Sequence, residues 1–249
     1  MISIRNVTKS FGKQVVLKNI SLEINHGETI AVVGPSGVGK SVLLKLITGI
    51  LQPDSGEIII YGKNITKAKT EYQKNQIRNN LGVLFQSAAL FDSLNIYDNV
   101  AFPLNARTNL NQKQIHKRVL RILRNLDIEK YALKTPGEIP MGIRKRAGMA
   151  RALITEPKLI LFDEPNTGLD PLVGQEVYEL IKECQEKWHF TGIVISHEIP
   201  EVFQVSNRVA MLLNGEILEE GTPEKLLQSQ NEAVRQFLNG KTNGPIKIN

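Results

Sequence analysis

The sequence contains one cysteine and one tryptophan in 249 residues, and aromatic residues make up only 6% of it. The single cysteine, Cys184, excludes an internal disulfide and fits a reducing compartment. No run approaches the ~18 consecutive apolar residues that are typical of a membrane-spanning helix. The first residues, MISIRNVTKSF, lack the apolar segment of a signal peptide. We therefore expect a cytoplasmic chain that is held at a membrane only by a partner.

Charge of one sign is in modest excess, with a net charge of +6 and a pI of about 9.3. This balance suits a membrane surface, a nucleic acid or an ordinary solvated basic face. The most basic stretch, NQKQIHKRVLRILRNL from Asn111, predicts an amphipathic helix with His116 on its polar side. Its apolar face is formed by Ile115, Val119, Ile122, Leu123 and Leu126. Because no aromatic residues are interleaved for base stacking, we expect no nucleic-acid partner.

The segment TIAVVGPSGVGKSVLLKLITG, residues 29–49, has the strongest pattern in the chain. Thr29–Val33 is a short β-branched run typical of a buried strand, and Gly34–Ser41 fits G-x-x-x-x-G-K-[ST]. Apolar residues then recur at helical spacing from Val42 to Ile50. Strand, glycine-rich loop and helix in this order predict a phosphate-binding loop.

The residue types in this loop match the chemistry of a nucleoside triphosphate. Glycines let the backbone amides approach the phosphates closely, and the following helix contributes the positive end of its dipole. We expect Lys40 to contact the β- and γ-phosphates of ATP, and the Ser41 hydroxyl to bind Mg2+. The predicted binding segment consists of Gly34, Pro35, Ser36, Gly37, Val38, Gly39, Lys40, Ser41 and Val42.

Two carboxylates end a second apolar run, KLILFDE, which spans Lys158–Glu164. Neighbouring strand residues point to opposite sides, so the end of this strand offers two distinct acids. We expect Asp163 to hold Mg2+ through water and Glu164 to polarise the attacking water. The alternative, a pair of solvated acids, is disfavoured beside a phosphate-binding loop.

Two further polar residues directly follow core strands. Gln86 comes after Leu81–Phe85, and His197 comes after Thr191–Ser196. Ligands of open α/β sheets bind at the carboxyl ends of the strands, so Gln86 is a candidate for Mg2+ or water and His197 for the γ-phosphate. The alternatives are a simple polar strand end for Gln86 and a structural role for His197.

The remaining pattern indicates the fold class, an α/β protein with a mostly parallel sheet and flanking helices. Short runs predict an antiparallel β subdomain, and Asn214-Gly215 predicts a hairpin. The predicted strands are Ser3–Val7, Gln14–Leu17, Ile20–Ile24, Gly56–Tyr61, Arg208–Leu213 and Glu216–Leu218. Phe11 lies in a polar turn, where it is either a packing residue or a platform for a purine ring.

The domain organisation follows from a change in the residue pattern along the chain, from segments that predict strands to a segment that predicts helices. Residues 1–86 and 158–240 are predicted to form the nucleotide-binding core with its β subdomain. Residues 87–157 predict an inserted α-helical subdomain, in which Ser93–Val100 is typical of a capped helix start. Residues 241–249 are expected to be a tail that is mobile or bound to a partner. We expect one domain in all, residues 1–249.

The order of these features resembles the ATPases of ABC transporters over essentially the whole chain. The resemblance rests on Phe11, GPSGVGKS, Gln86, LILFDE, Gly168-Leu169-Asp170 and His197. It implies that Phe11 stacks on adenine, that Glu164 is the catalytic base and that Asp170 lies in a loop near the nucleotide. It also implies a head-to-tail pair, in which each ATP is covered by the signature loop of the other subunit.

The signature loop is the clearest departure from the family, which usually has LSGGQ. The aligned stretch is Ile139–Ile143, IPMGI. Pro140 has neither a hydroxyl nor an N–H, Met141 adds bulk, and Gly142 remains. We expect a weaker ATP-driven dimer and slower hydrolysis, unless a different partner subunit supplies an intact loop.

The subtype is indicated by finer resemblance to the Mla/Mce-type lipid-transport ATPases. It rests on Val42-Leu43-Leu44, FQSAALFDSLNIYDNVAFPL, VRQFLNG and GPIKI. It implies an ATPase homodimer on the cytoplasmic face of the inner membrane, beneath a permease pair and an Mce-domain lipid-binding protein. The helical insertion and the Gln86 loop would grip the permease. The alternatives are an importer of amino acids or other small solutes, an ABC protein acting on DNA or the ribosome, and a regulatory subunit that does not hydrolyse ATP. The last is disfavoured because Glu164 and His197 are present.

Overall fold

The computed structural model describes residues 1–247, except for the side chain of Pro171. The strands are β1 (Ile2–Phe11), β2 (Gln14–Ile24), β3 (Thr29–Val33), β4 (Ser55–Ile60), β5 (Lys63–Asn64), β6 (Leu81–Leu84), β7 (Leu159–Asp163), β8 (Thr191–Ser196), β9 (Arg208–Leu213) and β10 (Glu216–Gly221). The helices are α1 (Lys40–Ile47), α2 (Glu71–Arg78), α3 (Ile96–Arg107), α4 (Gln112–Asn125), α5 (Met141–Leu153), α6 (Pro171–Trp188), α7 (Pro223–Leu227) and α8 (Glu232–Leu238).

The chain divides into two compact units. The first consists of Met1–Ile77 together with the residues from Thr191 onward, and the second is Arg78–Phe190. Each unit combines strands and helices, in agreement with the predicted α/β class. The phosphate-binding loop lies in the first unit, and the strand that ends in Asp163 lies in the second.

The antiparallel sheet of the first unit has the strand order β2-β1-β4-β5. Alternate residues such as Ile2 and Ile4 are buried, because one face of the sheet packs on the core. Two sequence expectations were wrong in this region. The strand β2 is one continuous strand rather than two, since Asn19 adopts a left-handed φ of 54° without ending it. The strand β1 continues to Phe11, so the turn contains only Gly12 and Lys13.

The other strands of the first unit surround β3. The strand β3 pairs in parallel with β8 and β9, and β10 pairs antiparallel with β9. Every residue of β3 and β8 is buried, which explains why both appear as unbroken apolar runs. The predicted hairpin at Asn214-Gly215 is confirmed, with φ values of 49° and 78°. The helix α1 ends at Ile47, three residues before the end of its apolar pattern.

The second unit contains the parallel pair β6–β7 and the helices α3, α4 and α5. The predicted amphipathic helix is confirmed as α4, which begins with a capping box between Asn111 and Gln114. Its five predicted apolar-face residues are all buried, whereas His116 is exposed. The predicted capped helix start within Ser93–Val100 is confirmed, since the cap of α3 is Asn95, whose side chain accepts a hydrogen bond from the amide of Asp98.

The described part of the tail is attached to α8. The Gln236 side chain accepts a hydrogen bond from the Ile246 amide at 2.7 Å and donates one to the Ile246 carbonyl at 2.9 Å. The predicted tail is thus hydrogen-bonded to α8 at Ile246, while Ile248 and Asn249 lie outside the described residues. Within residues 1–247, no helix combines the length and apolar character needed to cross a bilayer.

Candidate nucleotide-binding site

The phosphate-binding loop has a backbone that only glycine accommodates at two positions. Gly34 has a φ of 151°, and a Cβ there would lie 2.2 Å from the Leu212 carbonyl oxygen. Gly39 has a φ of 107°, and its Cβ would lie 2.9 Å from the Leu17 side chain. The loop is thus packed tightly against β9 at its start and against β2 at its end, which fixes its course.

Lys40 is the first residue of α1 and is only 4% exposed. Its ammonium group donates hydrogen bonds to the carbonyls of Gly34 at 2.7 Å and Pro35 at 2.8 Å. The first turn of α1 contains no acidic residue, so no carboxylate weakens the positive end of the helix dipole. A buried cation, a glycine-rich loop and a helix N-terminus together form an arrangement that fits a polyphosphate.

His197 lies beside this loop within the first unit. The register of β3 and β8 pairs Val33 with Ser196, so the phosphate-binding loop and His197 leave neighbouring strands at the same edge. His197 is partly buried. The contact of His197 with the γ-phosphate stays a prediction, which its place at the carboxyl end of β8 motivates.

Phe11 lies at the end of β1, and its side chain is 48% exposed. Its ring faces the Lys9 ammonium, which lies 5.5 Å from the ring centroid. An exposed ring at a strand end retains a face for stacking on a base. The adenine contact of Phe11 stays a prediction.

In the second unit, Gln86 and Asp163 lie at the same edge of the β6–β7 pair. The register pairs Leu84 with Phe162, and the two polar residues follow directly. Both line a cavity of about 330 Å³. The other residues around it are Phe85, Ser87, Met141, Thr167, Gly168 and Leu169. The structure therefore brings two of the three predicted magnesium-binding residues together with the signature residue Met141.

Glu164 has a left-handed backbone φ of 47°, which is unusual for a residue with a side chain. The Thr167 hydroxyl donates a hydrogen bond to its carboxylate, at 3.2 Å from Oε2. The sequence reasoning missed Thr167, although a hydroxyl three residues after a candidate base is a recognisable signal. This contact restrains the Glu164 carboxylate, as a positioned base requires.

Asp170 is the N-cap residue of α6, where its carboxylate accepts a hydrogen bond from the Val173 amide at 3.2 Å. Nearby, the buried Tyr178 hydroxyl donates to the Asn166 side chain at 3.0 Å. These bonds connect the segment after β7 to α6. The predicted nucleotide contact of Asp170 is compatible with its exposed position and remains untested.

The signature segment begins α5. Pro140 is its N-cap residue, with an extended backbone (φ −60°, ψ 157°) and no side-chain cap. Met141 is 41% exposed, and Gly142 is helical, with the Val173 side chain 3.5 Å from the position of a Cβ. Further along α5, Lys145 is 1% exposed, and burial lowers the pKa of its ammonium group to about 8. The sequence reasoning missed this buried lysine, because the basic segment RKR resembles a solvated helix face.

The residues predicted to hold Mg2+ carry the donor atoms that this ion prefers. Ser41, Gln86 and Asp163 offer oxygen donors, which Mg2+ prefers. Within residues 1–247, no group of three or more histidine, cysteine, aspartate or glutamate side chains could form a metal cage. Mg2+ needs only a few protein ligands when phosphate oxygens complete its coordination. These residues therefore fit the ion.

Comparison with known proteins decides the family. The model of the ABC transporter family matches residues 17–167, more than half of the chain. The chain belongs to the ABC transporter family. This match includes the phosphate-binding loop, the Gln86 loop, the signature segment and the Asp163–Glu164 pair, whereas Phe11, Asp170 and His197 lie outside it.

Relatives of this ABC ATPase match over its full length. The protein named intermembrane phospholipid transport system ATP-binding protein MlaF from Haemophilus influenzae is 39% identical over 248 residues, covering all of this chain and 94% of that protein. MlaF of Escherichia coli K12 is 37% identical, covering 99% and 91%. The protein named probable ribonucleotide transport ATP-binding protein mkl from Mycobacterium tuberculosis is 41% identical, covering 98% and 68%.

Solved structures agree with the fold. A dimeric ATP-binding cassette in a post-hydrolysis state, bound to ADP and phosphate, has a TM-score of 0.79 at 30% identity, covering 90% of this chain and 99% of that one. A protein from Clostridium perfringens, part of the CbiONQ ABC transporter complex, has a TM-score of 0.84 at 30% identity, covering 92% and 91%. This chain is an ATP-binding, ATP-hydrolysing subunit of an ABC transporter and thus associates with a membrane through its complex.

Proposed function

We propose that this ABC ATPase powers the movement of phospholipid across a bacterial envelope. The observation that carries the proposal is the match to H. influenzae MlaF, which covers all of this chain and 94% of that protein. The mycobacterial relatives, named for ribonucleotide transport, are as similar in sequence but are covered over only 68% of their length. The phospholipid name is shared by the matched relatives from Haemophilus influenzae and Escherichia coli, at 39% and 37% identity, which supports the phospholipid assignment.

The proposed chemistry is hydrolysis of the terminal phosphate of ATP. Lys40 and the loop amides bind the β- and γ-phosphates, and Phe11 stacks on adenine. Glu164 accepts a proton from water as the water oxygen bonds to the γ-phosphorus and the bond to the leaving ADP oxygen breaks. His197 hydrogen-bonds the transferred phosphate. Ser41, Gln86 and Asp163 would hold Mg2+, which would supply neutralisation of the phosphate charge.

The active species is proposed to be a homodimer in which the signature segment of each copy closes over the ATP of the other. Pro140 removes two hydrogen-bond donors from this closure, and Met141 occupies space where glycine is usual. A hydrogen bond to a charged group contributes about 1.5–3 kcal/mol, so hydrolysis is expected to be slower than with an intact signature. ATP-driven closure and opening then move the transporter.

The proposed permease docks at an aromatic cavity of the second unit. The cavity has a volume of about 330 Å³ and is lined by residues of β6, α3 and α5 and of the segments that follow β6 and α5. Phe91 and Phe102 are 43% and 46% exposed in a chain that is otherwise poor in aromatic residues, and their ring centroids lie 4.9 Å apart. Arg107 adds a cation at the rim. An amphipathic permease helix with an acidic residue fits such a surface. The complex would lie on the cytoplasmic face of the inner membrane and include an Mce-domain lipid-binding protein.

The deciding experiment isolates the tagged protein from its own membranes in mild detergent and identifies its partners by mass spectrometry. Recovery of a multi-span permease together with an Mce-domain protein supports the proposal. Recovery of a permease with a solute-binding protein replaces phospholipid with a small solute. Recovery of ribosomal or DNA-bound proteins alone contradicts the proposal.

A matched variant tests the docking surface in the same experiment. Phe102→Asp places a charge in the aromatic cavity, and we expect it to lose the permease. Tyr72→Asp alters an exposed aromatic residue of the first unit and should retain it. Equal recovery by both variants would place the permease elsewhere.

A further inference from the structure

The segment after β6, residues 86–89, has a backbone that its side chains disfavour. Ala88 and Ala89 are consecutive and have φ values of 60° and 47°. Residues with a Cβ rarely adopt this left-handed conformation, and two in a row are held only where the surroundings impose it. Ala88 is buried, and its amide donates to the Phe85 carbonyl at 2.9 Å. Gln86, proposed to contact Mg2+, begins this segment and is exposed.

Two cations of α5 hold the carbonyls of this segment. The buried Lys145 ammonium donates to the Gln86 carbonyl. The Arg151 guanidinium donates to the Ala88 carbonyl and to the Ala89 carbonyl, each at 2.7 Å. Bonds from charged donors are stronger than bonds between neutral groups. Three carbonyls in four residues are therefore fixed from one helix.

A glycine between the two cations brings the segment close to α5. Gly148 lies three residues from both Lys145 and Arg151, so the three share one side of the helix. A Cβ at Gly148 would lie 3.0 Å from the Ala88 Cβ and 2.8 Å from the Leu84 side chain. The absence of this atom allows the contact that lets both cations reach the carbonyls.

The charged side chain of Lys145 is buried, which indicates that it serves as a hydrogen-bond donor. A lysine that is 1% exposed is rare, because removing its charge from water is unfavourable unless it is well paired. A methionine would fill the same space without that cost. The side chain is therefore explained by the hydrogen bond it donates and not by packing.

We propose that Lys145 and Arg151 are positioning residues, which hold residues 86–89 in the left-handed conformation and thereby set the direction of the Gln86 side chain. We call Lys145, Arg151 and the carbonyls of residues 86–89 that they hold the clamp. The inference rests on the proposed function, because it assigns the clamp to the same site. The helix α5 begins at the signature segment, so any movement of that segment is transmitted to the Gln86 carbonyl. The clamp thus makes the signature segment and Gln86 move as one body.

The first test is hydrogen–deuterium exchange of the Ala88 and Ala89 amides in the full-length protein without nucleotide. Lys145→Met removes the donor at nearly constant volume, and we expect exchange at least about fivefold faster. Lys145→Arg should restore the rate of the unaltered protein, since it again supplies a charged donor. Lys117→Met, at an exposed lysine of α4, is the matched control and should change nothing. Unchanged exchange in Lys145→Met overturns the clamp.

The second test separates positioning from general stability in the ATPase reaction. We expect Lys145→Met to lower kcat about tenfold with KM for ATP changed less than about twofold, since the phosphate-binding loop is untouched. In a background of Ala88→Gly with Ala89→Gly, the same change should lower kcat by less than about threefold, because glycine adopts left-handed φ without a steric cost. Equal losses in both backgrounds overturn the proposal.

Arg151→Lys provides a second route should Lys145→Met fail to fold. It replaces two donating nitrogens in a planar group by a single ammonium nitrogen, which cannot reproduce both bonds in the same geometry, so faster exchange at Ala89 is expected and unchanged exchange contradicts the clamp. The exchange measurements need neither nucleotide nor permease. Their failure therefore overturns the clamp alone, whereas recovery of an unrelated partner overturns the proposed function alone.

Discussion

The phosphate-binding loop and the signature segment both begin a helix, yet they differ in what their backbones can donate. The loop before α1 has positive φ at Gly34, Gly37 and Gly39, which turns its amides toward one concavity. The segment before α5 has Pro140, with an ordinary negative φ and no N–H. Under the proposed mechanism, binding ATP and closing over it therefore depend on separate elements, so one can be kept intact while the other is weakened.

The largest effect is expected when the proposed catalytic base is replaced and both the phosphate-binding loop and the signature segment are left unchanged. Glu164→Gln should lower kcat by about a thousandfold, because the amide cannot accept the proton from water. ATP binding, measured by equilibrium dialysis, should stay within about twofold, since the phosphate-binding loop is unchanged. Glu156→Gln is the control, because Glu156 is an exposed residue paired with Arg121. Unchanged turnover in Glu164→Gln would remove this residue from the role of base.

A second prediction compares one glycine from each element. Gly34→Ala would place a Cβ 2.2 Å from the Leu212 carbonyl oxygen, whereas Gly142→Ala would find only the Val173 side chain at 3.5 Å. We expect Gly34→Ala to lower the free energy of unfolding by about 2–4 kcal/mol. Gly142→Ala should raise it by up to about 1 kcal/mol, as expected for glycine replaced by alanine in a helix. Thermal or urea unfolding measures both, and equal effects would contradict the structure of one element.

A third prediction restores the weaker element. Pro140→Ser combined with Met141→Gly supplies a hydroxyl, an amide and space, and should raise kcat about tenfold or more. Pro140→Ala returns the amide without the hydroxyl and should give an intermediate rate. A dimer that forms more readily with ATP in the Glu164→Gln background would show where the gain arises. Without any increase in turnover, the explanation of slow closure fails.

The sequence predicts the phosphate-binding loop well because its residues are defined locally, by glycine conformation and strand–loop–helix order. It predicts α4 equally well, since Asn111, Gln114 and the apolar face follow a single helical period. Both depend on neighbours within a few residues. The continuity of β2 was missed because Asn19 is compatible with a turn as well as with a left-handed residue inside a strand.

The roles of Lys145 and Arg151 could not be predicted, because their partners lie about sixty positions away in the chain. Lys145 and Gln86 are 59 positions apart, and Arg151 and Ala88 are 63 apart. Nothing in a basic helical segment distinguishes a buried cation from a solvated one before the loop is placed against it. The same holds for Gln236, whose partner Ile246 lies in a polar tail that appeared unattached.

We expect alkylation of Cys184 to have the smallest effect on activity. The rate of this alkylation instead reports on the folding of the unit that carries the signature segment. Burial raises the pKa of its thiol to about 12. The thiol therefore stays protonated from pH 7 to pH 9, and iodoacetamide should react at least about a hundredfold more slowly than with the unfolded chain. Mass spectrometry after timed alkylation measures this. Fast labelling of the folded protein would contradict the burial of Cys184.

The side chain of Gln236 attaches the tail to the folded protein, although the polar composition of the tail does not indicate this. This amide is only 4% exposed, and the oxygen and nitrogen each satisfy one backbone group of Ile246. Ending the chain before Ile246 would remove both hydrogen bonds and uncover the Gln236 side chain, so water would have to replace its partners. The tail residues up to Ile246 therefore form part of the folded body, and trimming them to simplify the protein would loosen α8.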